Sequence, residues 1–221
     1  MLRSHRALRR TRWFAAGVAG ILVAGVCLGT GIAGAKSKSD TINFDLFPNP
    51  SVVNCLAQGN ATPTVHATVK RGDLNDDLTL KLSGFKPGLQ FDLFTIERSN
   101  QQANGSPVPG FQNFGLAWYQ SDVEANHGNS GNGDVEIRTI LLDQIFGFDP
   151  AVGLPPTNTF HVGFWFNNPA DAAPCGFTGF TPFNGEHHAG PLAFITRPDA
   201  TTGLGPLCSM PDSSSPSGCN P

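Results

Sequence analysis

The chain has 221 residues, with 26 Gly, 18 Pro, five Cys and a formal net charge of −3 at pH 7. This length suffices for one domain with a substantial core, or for two very small domains. The acidic balance repels phosphate backbones and anionic lipid surfaces, so nucleic-acid binding and anionic membrane binding are not expected.

The N-terminal segment has the pattern of a secretory signal. Five Arg residues lie among the first 12, and a long uncharged stretch rich in Ala, Gly, Val and Leu follows them. The stretch ends in Ala33-Gly34-Ala35, a small-x-small pattern that signal peptidase accepts, and Lys36 begins a polar run. We therefore expect a cleavable signal helix over residues 1–35. The alternative is a retained membrane anchor, because the apolar stretch is about 20 residues long.

Removal of the signal changes the charge of the working protein. Five of the 14 Lys and Arg residues lie in the signal and none of the 17 acidic residues does, which leaves a net charge of −8. We expect this part to be secreted, with bacterial export favoured, and not to insert stably into a membrane. Residues 36–200 are predicted to form the domain, and residues 201–221 a loose tail rich in Gly, Ser and Pro.

Short runs in which apolar and polar residues alternate predict a β protein after the signal. The run Thr64–Lys70 alternates cleanly, with Val65, Ala67 and Val69 on one face. Gly and Pro separate such runs and supply turns. One short helix is expected at Ile140–Phe146. The predicted strands are Thr41–Phe47, Thr64–Lys70, Thr79–Ser83, Leu89–Glu97, Asn113–Tyr119, Asp134–Leu142, Asn158–Phe166 and Pro191–Thr196.

One segment resembles a known structural corner. Leu82–Phe91 reads Leu-Ser-Gly-Phe-Lys-Pro-Gly-Leu-Gln-Phe and resembles the L-x-G-L-x-P-G-x-x-Y corner of fibronectin type III and immunoglobulin-like domains. In those domains the corner joins two strands across a β-sandwich, and the Tyr hydroxyl pins it. Phe91 occupies the Tyr position here and cannot form that bond. The resemblance implies an all-β, immunoglobulin-like or related antiparallel β-sandwich, a fold class that serves many functions.

Four cysteines remain once the signal is removed. An even number in an exported chain predicts two disulfides. Of the three possible pairings we favour Cys55–Cys175 together with Cys208–Cys219, which would close a small loop in the tail. The alternative is that some of these cysteines are free or bind a metal, although no Cys-x-x-Cys spacing occurs.

No metal and no cofactor are predicted, although several residues are of ligand type. Neutral imidazole commonly binds zinc or copper, and carboxylate oxygens suit calcium. However, no His-x-His or His-Glu-x-x-His pattern occurs, and the loop from Asp122 to Asp134 lacks the EF-hand order. It is more simply a polar hairpin loop. The candidates kept as hypotheses are His66, His161, His187, His188, Asp122, Glu124 and Asp134.

The sequence favours a binding or structural role over catalysis. No Gly-x-Ser-x-Gly elbow occurs, and the cysteines are expected to be oxidised. Most of the 16 Phe residues after the signal are expected in the core, while Trp118, Tyr119 and Trp165 are candidates for an exposed recognition patch. We therefore predict a secreted, non-catalytic module with an unidentified extracellular or cell-envelope ligand. The alternative is a secreted hydrolase or metal-dependent enzyme whose acids or histidines no motif marks.

Overall fold

The computed structural model describes residues 41–72, 75–125, 133–142, 159–181 and 189–208. The predicted signal, with Ala33, Ala35 and Lys36, lies outside these ranges. No helix within them is both long and apolar enough to cross a membrane. The elements are β1 (Thr41–Pro48), α1 (Val53–Leu56), β2 (Thr64–Lys70), β3 (Asn75–Ser83), β4 (Gln90–Ile96), β5 (Ala117–Glu124), β6 (Val135–Leu142), β7 (Thr159–Phe166), a 3₁₀ helix (Pro169–Cys175), β8 (Leu192–Ile195) and β9 (Leu207–Cys208).

The strands form one antiparallel, nearly closed sheet in the order β5-β4-β7-β8-β1-β2-β3-β6. We call β1, β2, β3 and β6 the front sheet, and β5, β4, β7 and β8 the back sheet. β1 joins the two, because residues 41–46 pair with β2 and residues 47–48 pair with β8. Side chains from both sheets meet in one main core. The predicted all-β, antiparallel class is therefore confirmed.

The front sheet has one buried and one solvated face, as the alternation predicted. In β2, Val65, Ala67 and Val69 are at most 2% exposed, while Thr64, His66 and Lys70 are exposed. β3 follows the same pattern, and Leu78, Leu80 and Leu82 face the core. Side chains alternate between the two faces of a strand, so a sheet with only one buried face shows a period of two in its apolar residues.

The strands β4, β7 and β8 of the back sheet are buried on both faces, which the strand predictions did not include. Every residue of β7 is buried. Phe164 and Phe166 enter the main core, whereas Trp165 belongs to a second cluster with Phe94 and Ile96 on the opposite face. The sequence indicates this burial only in part: β8 and the second half of β7 are continuous apolar runs, whereas β4 contains Asp92 and Thr95.

The corner-like segment connects the front sheet to the back sheet. It runs from the end of β3 to the start of β4. Gly88 has φ +81° after Pro87, which suits the third position of a type II turn. A Cβ on Gly84 would lie 2.7 Å from the carbonyl oxygen of Thr62, so only glycine fits there. Phe91 is fully buried, and its ring centroid lies 4.9 Å from that of Phe164.

Three predicted elements need correction, and the first is β3, which begins at Asn75 rather than Thr79. β5 begins at Ala117 rather than Asn113, because the Asn113 side chain accepts a hydrogen bond from the Gly115 amide and holds a turn there. The first three residues of the predicted helix Ile140–Phe146 belong to β6, where Ile140 pairs with Asp77 in β3. The remaining residues of that helix lie outside the described ranges.

The predicted hairpin loop from Asp122 to Asp134 is also wrong. Asp122 and Glu124 belong to β5 itself. β5 and β6 lie at opposite ends of the strand order and are not hydrogen-bonded neighbours in it, as a hairpin would require. Residues 126–132 between them lie outside the described ranges. Polar turn residues do not specify which strands pair with each other.

The predicted Cys55–Cys175 disulfide is confirmed, and it ties α1 to the 3₁₀ helix across 120 positions of sequence. Part of the predicted tail belongs to the fold, because β9 pairs with β7 and Leu207 is fully buried. Cys219 lies outside the described residues, and so does the predicted Cys208–Cys219 pairing.

Candidate functional site: an aromatic and acidic edge strand

β5 is an end strand of the sheet order, and a β-bulge rearranges its side chains. Ser121 pairs with Leu93 and Tyr119 with Phe94, so Gln120 is an extra residue on β5. An extra residue interrupts the alternation of the strand. Tyr119 and Asp122 therefore share one face, although they are three positions apart.

Tyr119 is held in place and still presented to solvent. Its hydroxyl donates a hydrogen bond of 2.8 Å to Oδ1 of Asp122. Its ring meets Phe94 edge to face, with 5.7 Å between the centroids. The side chain nevertheless remains 44% exposed. These two contacts fix the orientation of the ring while leaving much of its surface open.

Trp118 lies on the other side of the same strand. It pairs with Thr95, the residue after Phe94, so its side chain projects from the opposite face to that of Tyr119. Trp118 is 48% exposed. Two rings thus flank β5, one on each face. Trp165, the third aromatic predicted for an exposed patch, is instead buried at 1% exposure.

Two carboxylates lie directly opposite each other across β4 and β5. Asp92 pairs in register with Asp122, which places their Cβ atoms about 5 Å apart. Asp92 is only 2% exposed, and its Oδ1 accepts a hydrogen bond of 3.0 Å from the Asn167 side chain. Asp122 is exposed. One acid therefore belongs to the protein interior, and the other is available at the surface.

The aromatic residues beneath this surface form a rigid support. Trp165 meets Phe94 and Phe114 in T-shaped contacts, with centroid separations of 5.5 and 5.2 Å. Aromatic pairs prefer this edge-to-face arrangement. Phe94 thus links the buried cluster to the exposed Tyr119.

The long segment between β4 and β5 is fastened by polar side chains. Oε2 of buried Glu97 accepts a hydrogen bond of 2.8 Å from the Leu116 amide. Gln101 of the same segment accepts a hydrogen bond of 2.8 Å at its Oε1 from Nε of Arg197, which follows β8. The Arg197 guanidinium also lies 3.7 Å from the centre of the Phe47 ring. Burial lowers the pKa of Arg197 from its usual value. These contacts hold the segment near the outer face of the back sheet.

His161 is an internal histidine. It is 4% exposed, and its Nδ1 lies 2.9 Å from the hydroxyl of Thr196, which also accepts a hydrogen bond from the Val162 amide. Burial lowers the pKa of His161 to about 4, and a hydrogen bond with the Thr196 backbone partly opposes that effect. The imidazole is therefore neutral at pH 7 and has little contact with solvent.

The fold does not bring the described histidine candidates together. His66 is exposed on the solvated face of the front sheet, where its Nδ1 lies 2.8 Å from Oδ1 of Asp45. His161 lies in the back sheet, on the other side of the main core. His187 and His188 lie outside the described residues, as does His127. Within the described ranges, no three His, Cys, Asp or Glu residues are placed to hold a metal ion.

The remaining acidic candidates have structural partners or lie at the surface. Oδ1 of Asp134 accepts a hydrogen bond of 2.7 Å from the Gly84 amide and so secures the corner. Glu124 is exposed at the end of β5. At the start of β3, Asp76 accepts a hydrogen bond from the Gly72 amide and pairs with Arg71. Of the three predicted calcium ligands, Asp122 and Glu124 lie on β5, whereas Asp134 is bonded to the Gly84 amide at the corner.

The solvated face of the front sheet carries a shallow depression with charges of both signs. Lys70 and Asp77 face each other across β2 and β3, and Arg138 and Ile140 of β6 complete the lining. Arg138 donates to Glu136 at 2.8 Å, and this bond lowers the pKa of the Glu136 carboxyl. The balanced charges give this depression no strong preference for anions or cations.

The fold and the site together define an antiparallel β protein with an aromatic and acidic edge strand. No protein-family model matches the chain, and no curated protein or solved structure matches it either. Any functional conclusion therefore depends on the site itself.

Proposed function

We propose that the protein is a secreted, non-catalytic binding module of the cell exterior or envelope, with its ligand surface on β5. The observation that carries this proposal is the pair of nearly half-exposed rings, Trp118 and Tyr119, on one end strand. Each ring leaves roughly 100 Å² in water, which corresponds to about 2.5 kcal/mol that burial would supply. A ligand that covers the rings gains part of this free energy.

The arrangement of titratable groups favours binding over catalysis. His161 is buried with a pKa near 4, so it is not placed to exchange protons with a substrate at neutral pH. Asp92 is buried and bonded to Asn167, which leaves Asp122 as the exposed member of the carboxylate pair. Two-carboxylate hydrolysis needs both acids at the substrate.

A secreted hydrolase remains the second candidate because of this same pair. Retaining glycosidases hold two carboxyl groups about 5 Å apart. Asp92 and Asp122 are opposed in register, which places their Cβ atoms at about that separation. This candidate requires the buried Asp92 to become accessible to substrate. Release of reducing sugar by the wild type, abolished in both Asp92→Asn and Asp122→Asn, would establish hydrolysis and contradict the non-catalytic proposal.

Secretion is supported by the signal-like segment and by a disulfide, a bond typical of oxidising compartments. N-terminal sequencing of the exported protein is expected to begin near Lys36. Recovery of a chain that starts at Met1 in the membrane fraction would instead indicate a retained anchor.

The immunoglobulin-like sandwich is likewise a proposal for the finer fold class. Its support is the passage from β3 to β4 between the two sheets at the corner-like segment, and the main core shared by both sheets. An experimental structure with hydrogen bonds between β5 and β6 would make the sheet a closed barrel and contradict this class.

Co-sedimentation with cell envelopes of the exporting organism tests the binding role. We expect the wild-type protein to sediment with the envelopes and the Trp118→Ala/Tyr119→Ala double variant to remain in solution. Phe180→Ala is the matched control, because it removes an aromatic ring that is 62% exposed but lies outside β5. Equal sedimentation of all three proteins would contradict a ligand surface on β5.

A further inference from the structure

Resting on this proposed function, we infer that β5 recognises a neutral or amino-bearing carbohydrate chain. The reasons are the two exposed aromatic rings of the strand, of which Tyr119 is held in place, the exposed acceptor oxygens on the Tyr119 face and the lack of cationic residues on β5. Each of these features corresponds to one part of the chemistry of a sugar.

The aromatic rings match the C–H faces of pyranose rings. A sugar ring presents a weakly positive C–H face, and the face of an aromatic ring carries the negative side of its quadrupole. Tyr119 is already oriented by Phe94 and by its bond to Asp122, so little conformational entropy is lost when a ligand covers it. Trp118 flanks the other side of β5, so a chain that crosses the strand can contact both rings.

The polar groups of β5 match the hydroxyl groups of a sugar. Asp122 and Glu124 present exposed carboxylates. Ionised carboxylates only accept hydrogen bonds, whereas sugar hydroxyls and the ammonium group of an amino sugar donate them. Hydrogen bonds to a charged acceptor are stronger than those between neutral groups.

The charge of β5 excludes acidic polysaccharides. Ala117–Glu124 contains two acidic residues and neither Lys nor Arg. Sulfated or uronic-acid chains would meet like charges here, and no residue of the strand offers them a cation. The expected ligand is therefore uncharged or carries amino groups.

A protein partner fits this surface less well. Stable protein interfaces bury about 800 Å² on each partner around an apolar centre depleted in charge. Here the rings project to opposite faces, and Gln120, Ser121 and Asp122 follow them directly. Isolated rings among polar groups suit a narrow chain of sugars better than a broad apolar interface.

Binding to purified polysaccharides tests this inference. The full chain is exported by a bacterial host, purified, and incubated with chitin, cellulose, the amino-bearing polymer chitosan and the polyanion alginate. We expect it to bind at least one of the first three and not alginate. Trp118→Ala and Tyr119→Ala should each weaken that binding at least tenfold, and Asp122→Asn several-fold.

Two further variants separate recognition from folding. Tyr119→Phe keeps the ring and removes the hydrogen bond to Asp122, so we expect a smaller loss than with Tyr119→Ala. Phe180→Ala should bind as the wild type does. All variants are compared by urea unfolding, and only those with wild-type midpoints enter the comparison. If both alanine variants fail this test, Tyr119→Phe and Asp122→Asn decide, and unchanged binding in both overturns the inference.

The outcomes distinguish the carbohydrate inference from the broader binding role. Preference for alginate, or no binding to any of the other three polysaccharides, overturns the inference. If envelopes still retain the protein through Trp118 and Tyr119 in that case, the binding module stands with a different ligand. If envelopes do not retain it either, both proposals fail.

Discussion

His161 illustrates, at the scale of a single residue, how burial changes the chemistry of a side chain. The fold removes it from water and leaves Thr196 as its hydrogen-bond partner. A charged imidazole loses its hydration in that position, so the neutral form is favoured and the pKa falls from 6.5 to about 4. The unfolded chain, by contrast, accepts a proton near pH 6.5.

This difference predicts that acid destabilises the fold through His161. Between pH 6.5 and pH 4 the unfolded state binds the proton and the folded state does not, so the free energy of unfolding decreases as the pH falls. From pH 7 to pH 4.5 the loss from this group is about 2.5 kcal/mol, converted at 1.36 kcal/mol per pKa unit. Urea unfolding of wild type and His161→Gln at both pH values measures it.

The variant should lose less free energy of unfolding over this interval than the wild type does, whatever its stability at pH 7. His66→Gln is the matched control, because it replaces an exposed histidine of the front sheet. Identical pH dependence in wild type and His161→Gln would contradict the burial argument.

At the scale of an element, the hairpin of β2 and β3 depends on a buried ion pair at its turn. Arg71 Nη1 lies 3.2 Å from Asp76 Oδ2, and the side chains are only 8% and 1% exposed. The other oxygen of Asp76 accepts from the Gly72 amide at 3.1 Å. Breaking a buried pair by removing one partner is costly, because the remaining charge stays out of water.

We therefore expect Asp76→Ala to lower the free energy of unfolding by about 3 kcal/mol. Asp77→Ala is the matched control: it removes the same side chain one position later, on the exposed face of β3. Its cost should stay within about 0.5 kcal/mol. Urea unfolding at pH 7 measures both values, and equal effects of the two substitutions would show that the ion pair does not stabilise the turn.

At the scale of the whole molecule, the Cys55–Cys175 disulfide joins the beginning of the fold to its later part. It closes a loop of 120 positions and connects α1, after β1, to the 3₁₀ helix, after β7. A crosslink over so long a loop removes many conformations from the unfolded chain. The disulfide therefore stabilises the fold mainly by lowering the conformational entropy of the unfolded chain.

We expect the Cys55→Ala/Cys175→Ala double variant to lose about 4 kcal/mol of unfolding free energy. Chemical unfolding under oxidising conditions measures this loss. The wild type in a strong thiol reductant serves as the control and should show a similar loss. If reduction opens the Cys55–Cys175 bond without moving the unfolding midpoint, the crosslink does not stabilise the fold.

Local patterns predicted the faces of the front sheet well, because one face packs against the core and the other contacts water. The alternation of β2 gave its bounds, and the apolar face of β3 is the one that is buried. The strand predicted at Asn113–Tyr119 lies too early in the chain compared with β5 (Ala117–Glu124). The polar and aromatic residues of β5 do not alternate around the bulge at Gln120, so the pattern did not mark its bounds. The site was predicted only in part. Trp118 and Tyr119 were named as candidates for an exposed patch, but no local pattern indicates that Asp92 lies opposite Asp122.

The sequence alone determined the β class, the acidic charge and the solvated face of the front sheet. These properties follow from composition and from periods of two, which a single strand already expresses. Tertiary structure decided that Trp165 and His161 are buried and that Trp118 and Tyr119 remain exposed. It did so because exposure in the back sheet depends on which distant segments cover each face. No local period encodes that contact.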